Sequence, residues 1–475
     1  MLLSPLPQDE TGRKQDFTLT ETSFHPFLLQ LVLKTAIALR AYFQSTVYLH
    51  RMFLSRLTVT LALLFLTLVP QCASGLTART AEAETIISGF HRPTDILPAT
   101  DGIVQSDDSL YNAIAMRVDS VLTRLYDPRA TVSVDIADAV TGQRLYRSGA
   151  VRSLRPASCQ KVLTTWSAIA MLGSHYLFHT RLYADSIPTD TLLRCNLYVR
   201  GEMDPLFSRA DVKVFVDTLL ARGIRTIEGD IVFDDSYKDE HRLGEGWCWD
   251  DNNPVLTPLL CDGRDILPQT LCEELSRAGI SLRGALRIGY VPSHADLLCD
   301  RTHPLTAVLT PMMKNSINLY AESVFYALGR LGGRRSTALE AAAVIERQIK
   351  KLNLHPADYR IADGCGLSLY NYASAELLCT VLVSAWNDDE QRRVLFPTLP
   401  IAGVDGTLAR RMRHSTARGK VHAKTGTLTG VSNLSGYATT ADGRTLAFSL
   451  FCSGFLSDTE FHHLQDMLCE VMTAP

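Results

Sequence analysis

The chain has 475 residues, more than one ordinary hydrophobic core organises, so about two or three folding units are expected. Its composition, 46% hydrophobic and 20% charged with a formal net charge of −3, is that of a soluble globular protein. No basic excess is present to neutralise phosphates, which argues against a nucleic-acid partner. The chain holds no Walker loop and no HExxH, and Gly364-Cys365-Gly366 is too short and wrongly flanked for a dinucleotide fingerprint. His462-His463 falls in a terminal amphipathic segment and reads as a solvated or packed pair, so no metal site and no cofactor are expected.

From Met52 the chain runs through Arg56 and a mostly apolar stretch from Leu57 to Val69 into small residues. That is the order of an export signal at 52–75, too short for a membrane span, with Ala73 and Gly75 at the −3 and −1 positions of a signal-peptidase site. Cys72 hints at lipidation, but Gln71 stands where a small residue is required. Residues 1–51 fit poorly: their apolar stretch is broken by Lys34 and Arg40, which points to Met52 as the natural start and 1–51 as a non-native extension. Export places the protein in an extracytoplasmic compartment such as the periplasm. Of eleven cysteines, ten remain after the signal, scattered without a CxxC pair. An oxidising compartment permits disulfides, yet Cys379, Cys452 and Cys469 lie in apolar runs and suit buried thiols.

Residues 76–109 are polar and read as a linker. A helical pattern follows from Leu110 to Tyr126, then a hairpin from the alternation of Val132, Val134 and Ile136, the Thr141-Gly142 turn and Gln143–Tyr146. After Pro156-Ala157-Ser158 an apolar-periodic stretch closed by Gly173 predicts a helix of about four turns. Residues 182–298 change character, with short apolar runs between turn signals, and read as a strand-rich insert. Helices are expected at Asn318–Leu328 and Ser336–Leu352, antiparallel strands at Lys420–Thr427, Leu434–Thr439 and Thr445–Cys452, and a last helix from Asp458 to Met472. The fold class is α/β (α+β): an antiparallel sheet flanked by helices and interrupted by an insert.

Three short motifs carry chemistry. In Ser158-Cys159-Gln160-Lys161, positions i and i+3 share a helix face, so the hydroxyl and the ammonium can meet. The helix start favours developing negative charge, and a serine needs a base to act as a nucleophile. A buried lysine beside another cation can supply that base. Alone the pattern is common, about two chance occurrences in a chain this long, and a helix cap followed by a solvated lysine looks the same. Ser316-Ile317-Asn318 is expected about once by chance. Lys424-Thr425-Gly426-Thr427 is rarer: KTG arises in about one such chain in ten, and its glycine would let a substrate backbone approach a strand. All three occur in the order known for penicillin-binding proteins and class A β-lactamases, which makes coincidence the poorer explanation.

The chain resembles the D-alanyl-D-alanine carboxypeptidase/endopeptidase family, low-molecular-mass penicillin-binding proteins with a large insert. The resemblance rests on Pro156–Thr165 with Leu172-Gly173, on Gly201-Glu202-Met203-Asp204-Pro205, and on Asp363-Gly364-Cys365-Gly366-Leu367-Ser368 with Asn371 and Ser374, and spans about 110 to 474. The long separation of Ser158 from Ser316 also suits this family better than class A β-lactamases. The resemblance implies a β-lactamase/transpeptidase-like domain (110–181 and 299–475) around an inserted region (182–298). It implies Ser158 as nucleophile and Lys161 as base, with a shuttle through Ser316 equally drawable, and Ser316 as relay to the leaving D-alanine. Asn318 would hold the substrate amide, Lys424, Thr425 and Thr427 its carboxylate, with Gly426 between them, and the N–H groups of Ser158 and Thr427 the oxyanion. The implied partners are peptidoglycan stem peptides, with β-lactams as inhibitors; nothing selects an oligomeric state.

Ile317 departs from the usual aspartate, whose side chain points away from substrate in the family picture. Cys159 and Cys365 are also atypical and bear on pocket shape more than on catalysis. Two rivals differ in kind. A class A β-lactamase would need a deacylating glutamate, and no glutamate lies four residues before an asparagine here. A non-catalytic peptidoglycan- or β-lactam-binding module would not release D-alanine.

Overall fold

The computed structural model describes residues 102–475 except 126–128, 188–190, 252, 334 and 456. The expected extension (1–51), signal (52–75) and the linker as far as residue 101 lie outside the described residues.

The described residues open with β1 (Gly102–Ile103), α1 (Ser109–Arg124), the hairpin β2 (Thr131–Asp138) and β3 (Arg144–Ser148), and α2 (Gln160–Leu172). The Asp108 carboxylate caps α1 by accepting the Leu110 and Tyr111 N–H groups, and Gly173, at φ +79°, ends α2. Next come β4 (Leu177–Ala184), β5 (Leu192–Leu193), β6 (Leu197–Gly201), α3 (Arg209–Ala221), β7 (Thr226–Ile227) and β8 (Ile231–Asp234). They are followed by α4 (Leu267–Arg277), β9 (Ser281–Leu282), β10 (Leu286–Ile288) and β11 (Asp296–Pro304). The last part holds α5 (Leu305–Lys314), α6 (Asn318–Gly329), α7 (Ala338–Lys351), α8 (Ala375–Trp386) and α9 (Asp389–Thr398). It closes with β12 (Val421–Leu428), β13 (Val431–Thr439), β14 (Thr445–Ser453) and α10 (Asp458–Thr473).

The main sheet is antiparallel throughout, in the order β1-β3-β2-β14-β13-β12. Its middle strands are buried on both faces, because each side chain parity meets a different helical layer. Leu446, Phe448 and Leu450 of β14 join Val134, Ile136 and Leu434 in a core closed by Ile114 and Val118 of α1 and Leu464 and Leu468 of α10. Ala447 and Phe451 face the other way, into a larger core built on α2, α5, α6, α8 and α9. Full burial of a side chain such as Phe448 is worth about 1.5–3 kcal/mol. The strand β12 forms one edge of this sheet, flanked over Val421–Ala423 by the 400–402 segment, whose Ala402 N–H donates to the Val421 carbonyl and whose Pro400 carbonyl accepts from Ala423 N, both at 2.9 Å.

Between α2 and α5 the chain builds a five-stranded sheet, β10-β8-β6-β4-β11, and a three-stranded parallel sheet, β5-β7-β9. They share a separate core with α3 and α4, including Phe207, Phe215, Leu219, Phe233 and Leu271. The two helices add to the strands the sequence signals there. The chain leaves and re-enters at one place: the Leu305 N–H at the start of α5 donates to the Tyr176 carbonyl, 2.8 Å away.

Candidate active site

Ser158 lies in a 3-10 turn, Ala157–Cys159, that runs directly into α2. Ala157 has φ +47°, a left-handed conformation that costs an alanine about 1–2 kcal/mol and persists only where neighbours enforce it. The neighbours are identifiable. Asn433 Nδ2 of β13 donates to the carbonyls of Arg155 and Pro156, both at 2.9 Å, and Cys159 Sγ donates to the Lys424 carbonyl at 3.3 Å. Gly366 presses on the turn so closely that a Cβ there would stand 1.8 Å from the Ala157 carbonyl oxygen.

One turn along α2, Lys161 is completely buried. Its Nζ reaches Ser158 Oγ at 2.9 Å, Asn318 Oδ1 at 2.8 Å and the Cys365 carbonyl at 2.7 Å. Burial lowers its pKa, against the opposing pull of Cys365, Asp363 and Glu322. Protonated, the ammonium donates to all three; in its neutral form the amine has two N–H bonds and one lone pair. Two of its three neighbours, Asn318 Oδ1 and the Cys365 carbonyl, can only accept. They take the two hydrogens, which turns the lone pair towards the Ser158 hydroxyl.

Ser316, at φ +59°, forms the sharp link between α5 and α6, and Ile317 caps α6 so that Asn318 is its first residue. Lys424 of β12 is also fully buried and donates to Ser316 Oγ and to the Thr425 carbonyl, each at 2.8 Å. Burial, followed by the charge of Lys161, lowers its pKa to about 7. Further along the edge strand, Thr425 Oγ1 donates to Thr407 Oγ1 at 2.9 Å, and Thr427 is exposed. The glycine between them has a different neighbour from the one the sequence suggests: a Cβ at Gly426 would lie 2.6 Å from the Pro156 carbonyl and 3.1 Å from Cys159 N. It is required because β12 packs on the Ser158 turn itself.

The segment 362–368 completes the wall. Asp363 accepts four N–H donors: Gly366 N at 2.7 Å and Asn371 Nδ2 at 2.7 Å on Oδ1, Ser368 N at 2.6 Å and Trp247 Nε1 at 2.8 Å on Oδ2. Glu322 Oε1, from α6, accepts the N–H groups of Gly364 and Cys365 at 2.9 and 2.8 Å. Burial and then the Asp363 charge raise the Glu322 pKa to about 8. Glu322, Asp363 and Cys365 stand close enough to suggest a cation site, but three of their four carboxylate oxygens are already committed to N–H donors. The cluster is a hydrogen-bonded hub.

All three motifs therefore meet: Lys161 joins Ser158 to Asn318, and Lys424 joins its strand to Ser316. Sequence reasoning missed Glu322, Thr407 and Trp247, and used Asp363 and Cys365 only as family markers. The missed signal was the i, i+4 spacing of Asn318 and Glu322, which places an acid one turn below a site residue. The atypical cysteines are inert thiols: burial pushes Cys159 up to about 11 and Cys365 well above the ordinary range. All ten cysteines among the described residues are free, six of them buried, including Cys379, Cys452 and Cys469.

Known proteins resemble this chain over most of its described length. The model of the D-Ala-D-Ala carboxypeptidase 3 (S13) family matches residues 114–259 and 260–474. The chain belongs to that family. It is accordingly an enzyme of the serine D-Ala-D-Ala carboxypeptidase type. A D-alanyl-D-alanine carboxypeptidase of Actinomadura sp. (strain R39) is 26% identical over 459 residues, covering 76% of this chain and 85% of the relative. The carboxypeptidase DacB of Mycolicibacterium smegmatis is 30% identical over 352 residues, covering 66% and 75%. The crystal structure of penicillin binding protein 4 (dacB) from Haemophilus influenzae shares the fold with a TM-score of 0.69 at 23% identity, covering 75% of this chain and 99% of that one.

Proposed function

We propose that the enzyme cleaves the terminal D-Ala-D-Ala bond of peptidoglycan stem peptides through an acyl-enzyme on Ser158. The observation that carries this reading is the hydrogen-bond set of Lys161, which aims a neutral amine at the Ser158 hydroxyl. Lys161 takes the proton as Ser158 Oγ attacks the carbonyl carbon. The N–H groups of Ser158 and Thr427, the latter on the edge strand, hold the oxyanion, a contribution of about 10²–10³ in rate for one such donor. Ser316 passes a proton to the leaving D-alanine nitrogen. Lys424, Thr425 and Thr427 receive the terminal carboxylate, and Asn318 holds the substrate amide. Water then releases the acyl group, on a cross-linked substrate as an endopeptidase step.

β-Lactams fit the same site as carboxylate-bearing acyl donors that stall after acylation. The Haemophilus influenzae relative has been solved in complex with a β-lactam. An extracytoplasmic location suits a cell-wall substrate and the export-signal order of Met52–Gly75; no helix among the described residues is long and apolar enough to cross a membrane. Release of free D-alanine from a pentapeptide ending in D-Ala-D-Ala tests the proposal. Turnover by the parent and none by Ser158→Ala is expected. Binding without release by the parent would overturn it in favour of a binding module.

A further inference from the structure

A carbonyl oriented by a carboxyl group stands behind the lysine. The hydrogen bond from Lys161 to Cys365 goes to its backbone, whose carbonyl accepts from the amine at 2.7 Å. That carbonyl belongs to an irregular segment with no ladder or helix to hold it. The N–H of the carbonyl's own peptide, Gly366 N, donates to Asp363 Oδ1, and the two preceding N–H groups, of Gly364 and Cys365, both turn to one atom, Glu322 Oε1. Glu322 stands one helical turn after Asn318 on α6, so a single helix face supplies Lys161 with one direct acceptor and fixes the other through the backbone. The packing admits no slack: a Cβ on Gly364 would lie 2.4 Å from Phe325 Cβ, and Thr164 Oγ1 of α2 donates to the Gly364 carbonyl at 2.7 Å.

We infer that Glu322 is a positioning residue for Lys161: by holding the Gly364 and Cys365 N–H groups it sets, together with Asp363 on the Gly366 N–H, the carbonyl that orients the amine towards Ser158. The inference rests on the assignment of Lys161 as the base. Reach, and not charge, is what the role requires. The groups facing Glu322 are Lys161 of α2 and Asp363 and Cys365 of the 362–368 segment, with Tyr326 one turn along its own helix. With Asp363 beside it in a buried site, the carboxyl is pushed towards its neutral form, which still offers its carbonyl oxygen to the two N–H donors.

Two substitutions separate reach from charge. Glu322→Gln keeps the length and a carbonyl acceptor but removes the ionisable carboxyl. Glu322→Asp keeps an ionisable carboxyl but withdraws the acceptor by about one bond length, and a displacement of about 1 Å around a reacting pair can cost 10²-fold. The measurement is stopped-flow acylation of the full chain by benzylpenicillin, resolved into the non-covalent dissociation constant and the acylation rate constant, with thermal unfolding as the check on folding. Glu322→Gln should acylate within about threefold of the parent, and Glu322→Asp about ten- to hundredfold more slowly, both with unchanged non-covalent affinity. Glu322→Gln slower than Glu322→Asp would overturn the inference in favour of an electrostatic role. Parental rates in both, or losses confined to affinity or to unfolding, would overturn it as well. Failure of the underlying base assignment shows separately, as normal acylation of Lys161→Ala.

Discussion

Lys161 Nζ lies 2.9 Å from Ser158 Oγ and gives its other two hydrogen bonds to the Asn318 side-chain oxygen and the Cys365 carbonyl. Those two oxygens can only accept, so an ammonium donates to all three neighbours, whereas the neutral amine gives them its two hydrogens and turns its lone pair to the serine. Lys161→Ala should therefore lower the acylation rate constant for benzylpenicillin by about 10²–10⁴, the usual range for a general base, while leaving thermal stability close to the parent's. Acylation at the parental rate in the folded variant would remove Lys161 from the mechanism.

The two buried lysines set the pH dependence. While Lys161 is protonated it has no lone pair for the serine; once Lys424 is neutral it has no charge for the substrate carboxylate. Lys424 is held at about 7 and Lys161 is lowered, and the two titrate as a coupled pair. The kcat/KM for a D-Ala-D-Ala peptide should rise and then fall through neutral pH. A monotonic rise to about pH 10 would contradict the role given to Lys424.

Lys424 also links function to stability. Its folded pKa is depressed from 10.5 to about 7, so between those values the unfolded chain holds a proton that the folded chain has lost. The penalty for burying it is full below about pH 7, declines as pH rises, and is gone above the unfolded value. Lys424→Met should be inactive yet more stable than the parent, with a larger gain in denaturant midpoint at about pH 6 than at about pH 10. An equal gain at both would contradict this.

Gly366 and Gly173 make a matched comparison. Both have positive φ, +84° and +79°, but a Cβ at Gly173 meets open space while one at Gly366 collides with the Ala157 carbonyl. Gly173, at φ +79° and ψ 158°, occupies backbone space nearly restricted to glycine, so Gly173→Ala should cost about 2–3 kcal/mol yet leave acylation intact. Gly366→Ala should cost about 2 kcal/mol or more and slow acylation, because relief of the clash moves the Ser158 turn. Denaturant melts paired with acylation rates distinguish the two.

The cysteines give a chemical check on packing. Iodoacetamide mapping of the native protein should spare Cys159, Cys261, Cys365, Cys379, Cys452 and Cys469, which are buried, and reach Cys195, Cys248, Cys272 or Cys299 first. Early modification of Cys159 would mean that the Ser158 turn opens in solution.

Elements with clean periodicity were legible in the sequence: the β2–β3 hairpin, the helix following Ser158, and the run β12–β13–β14 all fall where alternation and turn residues place them. Helices α5 and α9 were not, because Pro311 and Pro397 lie inside them and read as breakers, while α8 is apolar over most of its surface and shows no stripe. The site divides the same way. Ser158, Lys161, Ser316, Asn318 and Lys424 stand in short recognisable motifs, whereas Glu322 and Trp247 act through backbone N–H groups and Asp363, contacts that no local pattern announces.

The most direct test of the central claim is the intact mass of the protein after incubation with benzylpenicillin, run beside Ser158→Ala. The account predicts one added penicilloyl mass on the parent and none on the variant. An equal adduct on Ser158→Ala, or an unmodified parent with the drug left intact, would contradict it.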